Sequence, residues 1–204
     1  MKRLLFPALF LCSLLAVACS TTTINSTWKD PAFAATPKKV FVVAVLKSET
    51  NRRFLEDEFV RQLSKQGVDA VAAYQFFGDS IPKDKELIHA KLKESGADTL
   101  MITRLVDKRT EERYAPGSNY AVNTAYYRSW PGYYGATYST VYTNPGYMVT
   151  DQYAVAESNL YSVESEGLIW AVNTDTWLND PAVPLLKGYV ETVMNAMRDD
   201  KIIK

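Results

Sequence analysis

Two cysteines and one histidine are all the thiol and imidazole chemistry in this 204-residue chain, so their positions decide what each could do. Cys12 lies inside an N-terminal apolar stretch and Cys19 at its end, directly after Leu14-Leu15-Ala16-Val17-Ala18 and before Ser20. His89 sits between Ile88 and Ala90 in a segment with a helical pattern. A general base needs a placed nucleophile and an orienting group, and neither accompanies it, so His89 reads as a surface or packing residue. The chain has no H-E-x-x-H, no G-x-S-x-G and no glycine-rich phosphate loop. Its carboxylates are dispersed. Hydrolysis by paired carboxylates, as in glycosidases, is the enzymatic chemistry this pattern leaves open, because such pairs need not be close in the chain. No catalytic residue, metal site or cofactor is assigned.

The elements around Cys19 explain its placement. Lys2 and Arg3 form a basic n-region, and Leu4 to Val17 is an uncharged h-region, too short to cross a hydrocarbon core of about 30 Å as a mature helix. Residues 1–18 are therefore expected to be an export signal. Ala16 and Ala18 before Cys19 resemble the lipobox of bacterial lipoproteins, with Ala16 where leucine is commonest. That resemblance implies a signal cut before Cys19, a diacylglycerol thioether on its sulfur and an acylated amino group carrying palmitate-like chains. With Ser20 rather than aspartate after the cysteine, it also implies sorting to the periplasmic face of a Gram-negative outer membrane. An ordinary secretory signal cleaved after a small residue is the alternative.

Lys and Arg total 23, as do Asp and Glu, and losing Lys2 and Arg3 leaves the remainder slightly acidic, which argues against nucleic acid as a partner. Beyond Cys19 no thiol remains, so no disulfide staples the domain and its apolar core must suffice. The length suits one domain. Residues 19–37 read as anchor and tether, Ser/Thr-rich over Ser20 to Asn25, and 38–204 as a single α/β domain.

Lys39 to Leu46 (KVFVVAVL) has the β-branched run of a buried strand. Ser48 or Thr50 caps a helix through about Gln66, with Leu55, Phe59 and Leu63 on one face and Gly67 beyond its end. Its other face, Arg52, Arg53, Glu56, Asp57, Glu58 and Arg61, is expected in solvent, with Asp57 paired to Arg61. Val68 to Tyr74 is a second strand, Phe77 to Lys83 a loop, Asp84 to Ser95 a second helix ending at Gly96, and Asp98 to Val106 a third strand running on to Arg113. Strands 39–46, 68–74 and 99–106 should hold the core with Phe59 and Leu63. A hairpin over Met148–Val163 and Gly167–Leu178 follows. Asp180 then caps a last helix, with Pro181 at its first position, Leu186, Val190, Val193 and Met197 on its apolar stripe and a charged tail behind it. The order β-α-β-α-β, hairpin, helix predicts a mixed sheet with helices packed on it.

Between the third strand and the hairpin, residues 114–147 hold nine of the 13 tyrosines, with Trp130 and little aliphatic material. Such a segment cannot build a core, yet a plain linker rarely carries so many rings. Three readings stand: a surface loop folded onto its own domain, a contact surface for a protein or glycan, and a membrane-inserting hairpin. Tyr126, Tyr127, Trp130, Tyr133 and Tyr134 are the candidate contact residues.

The element order together with GLIWAVNTDTW (Gly167 to Trp177) resembles a group of bacterial envelope domains. It includes the periplasmic part of the curli secretion channel subunit, the N-terminal domain of the Tol translocation protein and lipoprotein activators of penicillin-binding proteins. The resemblance spans about Lys38 to Met197, with 114–147 as an insertion, and supplies no catalytic residues. It implies a non-enzymatic binding or assembly component of the cell envelope, held to the membrane by its lipid, with an envelope protein or glycan as partner. An envelope glycan or peptidoglycan hydrolase and a self-assembling secretion-pore subunit are the alternatives, and the sequence leaves the oligomeric state open.

Overall fold

A computed structural model describes residues 21–78, 82, 84–115 and 147–204. One mixed six-stranded sheet organises them, built from β1 (Thr22–Lys29), β2 (Lys39–Val45), β3 (Asp69–Ala72), β4 (Thr99–Ala115), β5 (Tyr147–Ser162) and β6 (Leu168–Trp177), in the order β1-β6-β5-β4-β2-β3. β2 runs parallel to both β3 and β4. The β4–β5, β5–β6 and β6–β1 pairs are antiparallel. Four helices accompany the sheet among the described residues: α1 (Glu49–Lys65), α2 (Tyr74–Phe77), α3 (Lys85–Ser95) and α4 (Ala182–Asp199). The fold is α/β with a C-terminal helix, as the alternation of strand and helix patterns implies.

Local chemistry starts and stops these elements. The Ser48 hydroxyl accepts from the Asn51 amide at 3.4 Å to open α1, and the Asp84 carboxylate accepts from the Glu86 and Leu87 amides to open α3. α3 ends at Gly96, whose φ of 68° is a left-handed conformation that glycine takes without a Cβ clash. The fourth helix begins one residue later than its sequence suggests: Pro181 is the N-cap and offers no side-chain acceptor.

Side chains alternate across the sheet and fill two unequal cores. On one face Val40, Val42, Met101, Leu160, Trp170 and Val172 meet Leu55, Phe59 and Leu63 of α1 and Tyr189, Val190, Val193 and Met197 of α4. On the other, Phe41 and Val43 meet Ala73, Leu92 and the partly buried Phe76, Phe77 and Leu100, so α2 and α3 cover β3, β2 and the start of β4. The expected third core strand divides. Met101 is fully buried, whereas Leu105 and Val106 are 40% and 44% exposed, because β2 stops pairing with β4 at Arg104.

Several expectations are corrected. The tether read over 20–25 gives way at Thr22, since β1 is an edge strand paired with β6 from Thr22↔Thr176 to Lys29↔Trp170. Its threonines suit a strand even without an aliphatic stripe. The second strand is shorter than 68–74, because Tyr74 to Phe77 turn into α2. The charged tail packs inward, with Ile202 and Ile203 buried against the larger core.

The largest correction concerns α1. Arg52, Glu56 and Glu58 are buried, not solvated. Glu56 accepts from the Ala44 amide at 3.0 Å and the Tyr74 amide at 2.9 Å, tying the helix to the end of β2 and the start of α2. Arg52 donates to the Gly78 carbonyl at 2.6 Å. Arg61 pairs with Glu58 instead of Asp57, while Asp57 accepts from the Tyr74 hydroxyl at 2.7 Å. An α1 face that lies against loops and a short helix finds backbone partners there, which desolvated charges require.

Candidate interaction surface

β4 and β5 are longer than every neighbour. Their ladder runs without a break in pairing partners from Asp107↔Val155 to Ala115↔Tyr147, while β6 leaves β5 at Tyr153 and β2 leaves β4 at Arg104. The two strands thus project as an arm of residues 105–115 and 147–156, and the part past β6 alone, 147–152, is about 20 Å long. At its end Tyr114 and Tyr147 are 62% and 66% exposed and Met148 is also exposed. The tyrosine-rich segment therefore begins and ends inside paired strands, and residues 116–146 connect them. Tyr126, Tyr127, Trp130, Tyr133 and Tyr134 lie outside the described residues, as does Cys19.

The arm is braced by a ladder of ion pairs on the sheet face that α2 and α3 leave uncovered over β5, β6 and β1. Arg104 Nε donates to Glu157 at 2.6 Å, Arg109 Nη2 to Asp175 at 2.7 Å and Arg113 Nε to Asp151 at 2.7 Å. Asp175 also accepts from Asn25 of β1 at 2.9 Å, and the Arg109 guanidinium lies over the Tyr153 ring at 5.2 Å. Hydrogen bonding to Glu157 and to Asp151 raises the pKa of Arg104 and Arg113 above its already high usual value, so both stay charged at any physiological pH. Spacing alone hides this arrangement. Arg104 and Arg109 are an odd number of residues apart, which strict alternation would put on opposite faces. The irregularity between Leu105 and Asp107 absorbs one residue and returns Arg109 to the Arg104 face. With every guanidinium of the ladder engaged, the arrangement stiffens the arm and does not form a free anion site.

Two further places were candidates for chemistry. A cavity of about 560 Å³ lies between the 33–37 connection, α3 and the β5–β6 turn, with His89, Lys93, Asp98 and Glu164 on its wall. The Asp98 carboxylate is engaged by the amides of Lys38 and Lys39 at 2.9 and 3.1 Å. His89, 44% exposed, stands 3.8 Å from the Glu166 carboxylate, and Ser162 Oγ is an acceptor for the Ser165 amide. These contacts assemble no nucleophile and base. In the core, Thr103, Ser158 and Tyr189 form a hydroxyl chain, 2.6 and 2.7 Å between successive oxygens. Burial pushes the Tyr189 phenol up to about 12 against the opposing hydrogen bonds from Ser158 and Thr103, so it remains protonated and fastens α4 to β5. Among the described residues no three His, Cys, Asp or Glu side chains could share a metal ion, and no helix is long and apolar enough to cross a membrane.

No protein-family profile matches the chain, and no curated protein matches it by sequence. Solved structures similar to it include two PelC dodecamers from Paraburkholderia phytofirmans. One, a point variant, is 12% identical with a TM-score of 0.46, covering 84% of this chain and 96% of that one. The other is 13% identical with a TM-score of 0.46, covering 85% and 94%. Lipoprotein GNA1162 from Neisseria meningitidis is 12% identical with a TM-score of 0.41, covering 80% and 99%. Likeness at this level transfers no function, and the role of the chain has to be argued from its own residues.

Proposed function

We propose that this chain is a lipid-anchored, non-enzymatic component of the bacterial cell envelope that presents residues 116–146 on the β4–β5 arm as a contact surface for an envelope protein or glycan. Cys19 carries the anchor, and Ser20 behind it directs the protein to the periplasmic face of the outer membrane. The observation that carries the reading is the mounting of the segment. Its aromatic residues are joined to the domain through a braced pair of strands extending past the rest of the sheet, and aromatic side chains on a rigid support are what binding hot spots use.

Replacing Tyr126, Tyr127, Trp130, Tyr133 and Tyr134 together with serine tests it. The thermal midpoint should stay unchanged, while the partner crosslinked in intact cells by the native chain should be lost from the pull-down, since aromatic hot-spot truncations often cost 2 kcal/mol or more each. An unfolded variant would place the rings in the domain's own core. A folded variant that keeps every partner would remove the segment as the working surface.

The anchor has its own test. Cys19→Ala should abolish retention in the membrane fraction or stall the precursor, because several acyl chains at about 0.8 kcal/mol per buried CH₂ hold a protein essentially permanently. A wild-type mature N-terminus with no added acyl mass would end the lipoprotein reading.

A further inference from the structure

We propose that the free edge of β4 pairs, antiparallel and in one register, with the same edge of a second copy of this chain, about a two-fold axis through Thr110. The inference rests on the strands, independently of the envelope reading. Among the described residues no strand pairs with β4 beyond Arg104 on the side away from β5. Among the described residues Leu105 to Ala115 is thus an open edge, whose outward backbone donors and acceptors can take another strand.

Charge says which strand fits. Around Thr110 the sequence Asp107-Lys108-Arg109-Thr110-Glu111-Glu112-Arg113 is antisymmetric. In an antiparallel pair centred on Thr110, Asp107 meets Arg113 of the partner subunit, Lys108 meets Glu112 of the partner subunit, and Arg109 meets Glu111 of the partner subunit. The same three contacts repeat on the other side of the axis, as an isologous interface demands. Opposite charges directly across a strand pair are favourable and like charges are not. A slip of two residues one way sets Arg109 against its own copy and Asp107 against a glutamate. A slip the other way sets Glu111 against its own copy and Arg109 against an arginine. The pattern therefore accepts one register and rejects its neighbours.

The open stretch runs from the residue after the last β2 pair, Leu105, to the end of β4 at Ala115, and Thr110 lies inside its regular part, Asp107 to Ala115. Pairing in that register spans the stretch from Leu105 to Ala115 in both copies. Lys108 and Glu112 share the face opposite the arginine ladder and form no ion pair with any described residue, whereas Arg109 already pairs with Glu111 of its own chain at 3.2 Å and Arg113 with Asp151, so the Lys108–Glu112 contacts are the ones that discriminate.

Single cysteines in the purified full-length chain carrying Cys12→Ser and Cys19→Ser, oxidised in detergent solution, test the register without depending on export or on the anchor. Thr110→Cys places two thiols across the axis at a Cα separation of about 4.5–5.5 Å, within the range a disulfide accepts. It should give a disulfide-linked dimer. Lys108→Cys, displaced from its own copy by four residues, or about 13 Å, should not. Both positions are exposed, and folding should survive the changes. In detergent extracts, Lys108→Glu should weaken dimerisation about tenfold or more by opposing two glutamate pairs, and Lys108→Glu with Glu112→Lys should restore it. Equal crosslinking at 108 and 110, no crosslinking at 110, or no rescue by the double swap would each overturn the proposal.

Discussion

Replacing Trp170 with alanine is expected to remove about 3–5 kcal/mol of stability, a large share of the roughly 5–15 kcal/mol that holds a domain of this size. The indole is fully buried on the larger core face and is the largest such side chain in the described residues. It sits on β6 opposite Leu160 of β5 and Lys29 of β1, and its Nε1 donates to the Asp200 carboxylate at 2.7 Å. Asp200 in turn presents its carbonyl to Lys29 Nζ at 2.9 Å. Truncation therefore opens a cavity between the sheet and α4 and also releases the turn that carries Ile202 and Ile203 inward. Trp170→Phe keeps most of the volume but forfeits the hydrogen bond to a charged group, worth about 1.5–3 kcal/mol. Urea denaturation should show the alanine midpoint well below the phenylalanine midpoint, and both below wild type, with similar slopes. An unchanged midpoint in the alanine variant would mean that α4 does not pack on β6.

What the sequence discloses and what it hides divide along physical lines. β2 is legible because a β-branched run has few alternatives to a buried strand, and α1 and α3 because Ser48, Asp84 and Gly96 are local signals read within one turn. β1 is not, because an edge strand needs only one half-buried face. Here that face is made by threonines, with the Thr22 hydroxyl 2.9 Å from that of Thr176. A residue's charge says that it needs a partner, not that the partner is water. Glu56 and Arg52 found backbone amides and a carbonyl from elements distant in sequence, which no helical wheel contains. The arginine ladder needs the bulge after Leu105, and the antisymmetric charges around Thr110, though plain in the sequence, acquire meaning only once β2 is known to stop at Val45. The contact aromatics and Cys19 could be nominated from composition and spacing, while the arm that mounts the former required the pairing of β4 with β5.

Glu56→Ala should cost about as much as the tryptophan change, for a different reason. The carboxylate is fully buried and serves as sole side-chain acceptor for the Ala44 and Tyr74 amides. Each buried donor left without a partner costs about 1–3 kcal/mol, and the buried Arg52 loses the negative charge beside it. Glu56→Gln keeps an acceptor for one amide and turns an NH₂ toward the other, so it should fall between alanine and wild type. The pH dependence has a definite sign. Desolvation raises the Glu56 pKa above its usual 4.5, outweighing the two amides and Arg52, which lower it. A carboxyl that binds its proton more tightly folded than unfolded stabilises the fold fully below 4.5 and loses that contribution as pH rises through its elevated folded value. Wild type should therefore gain on the alanine variant as pH falls from neutrality toward 4.5. The comparison must be between variants at each pH, because Glu58 works in the opposite direction: burial would raise its pKa, but Arg61, Gln62 and Lys187 together lower it, so its contribution is lost on acidification. A stability gap between wild type and Glu56→Ala that narrowed over the same interval would show that the amides, not desolvation, govern this carboxylate, and that α1 is clamped to β2 by a permanent anion.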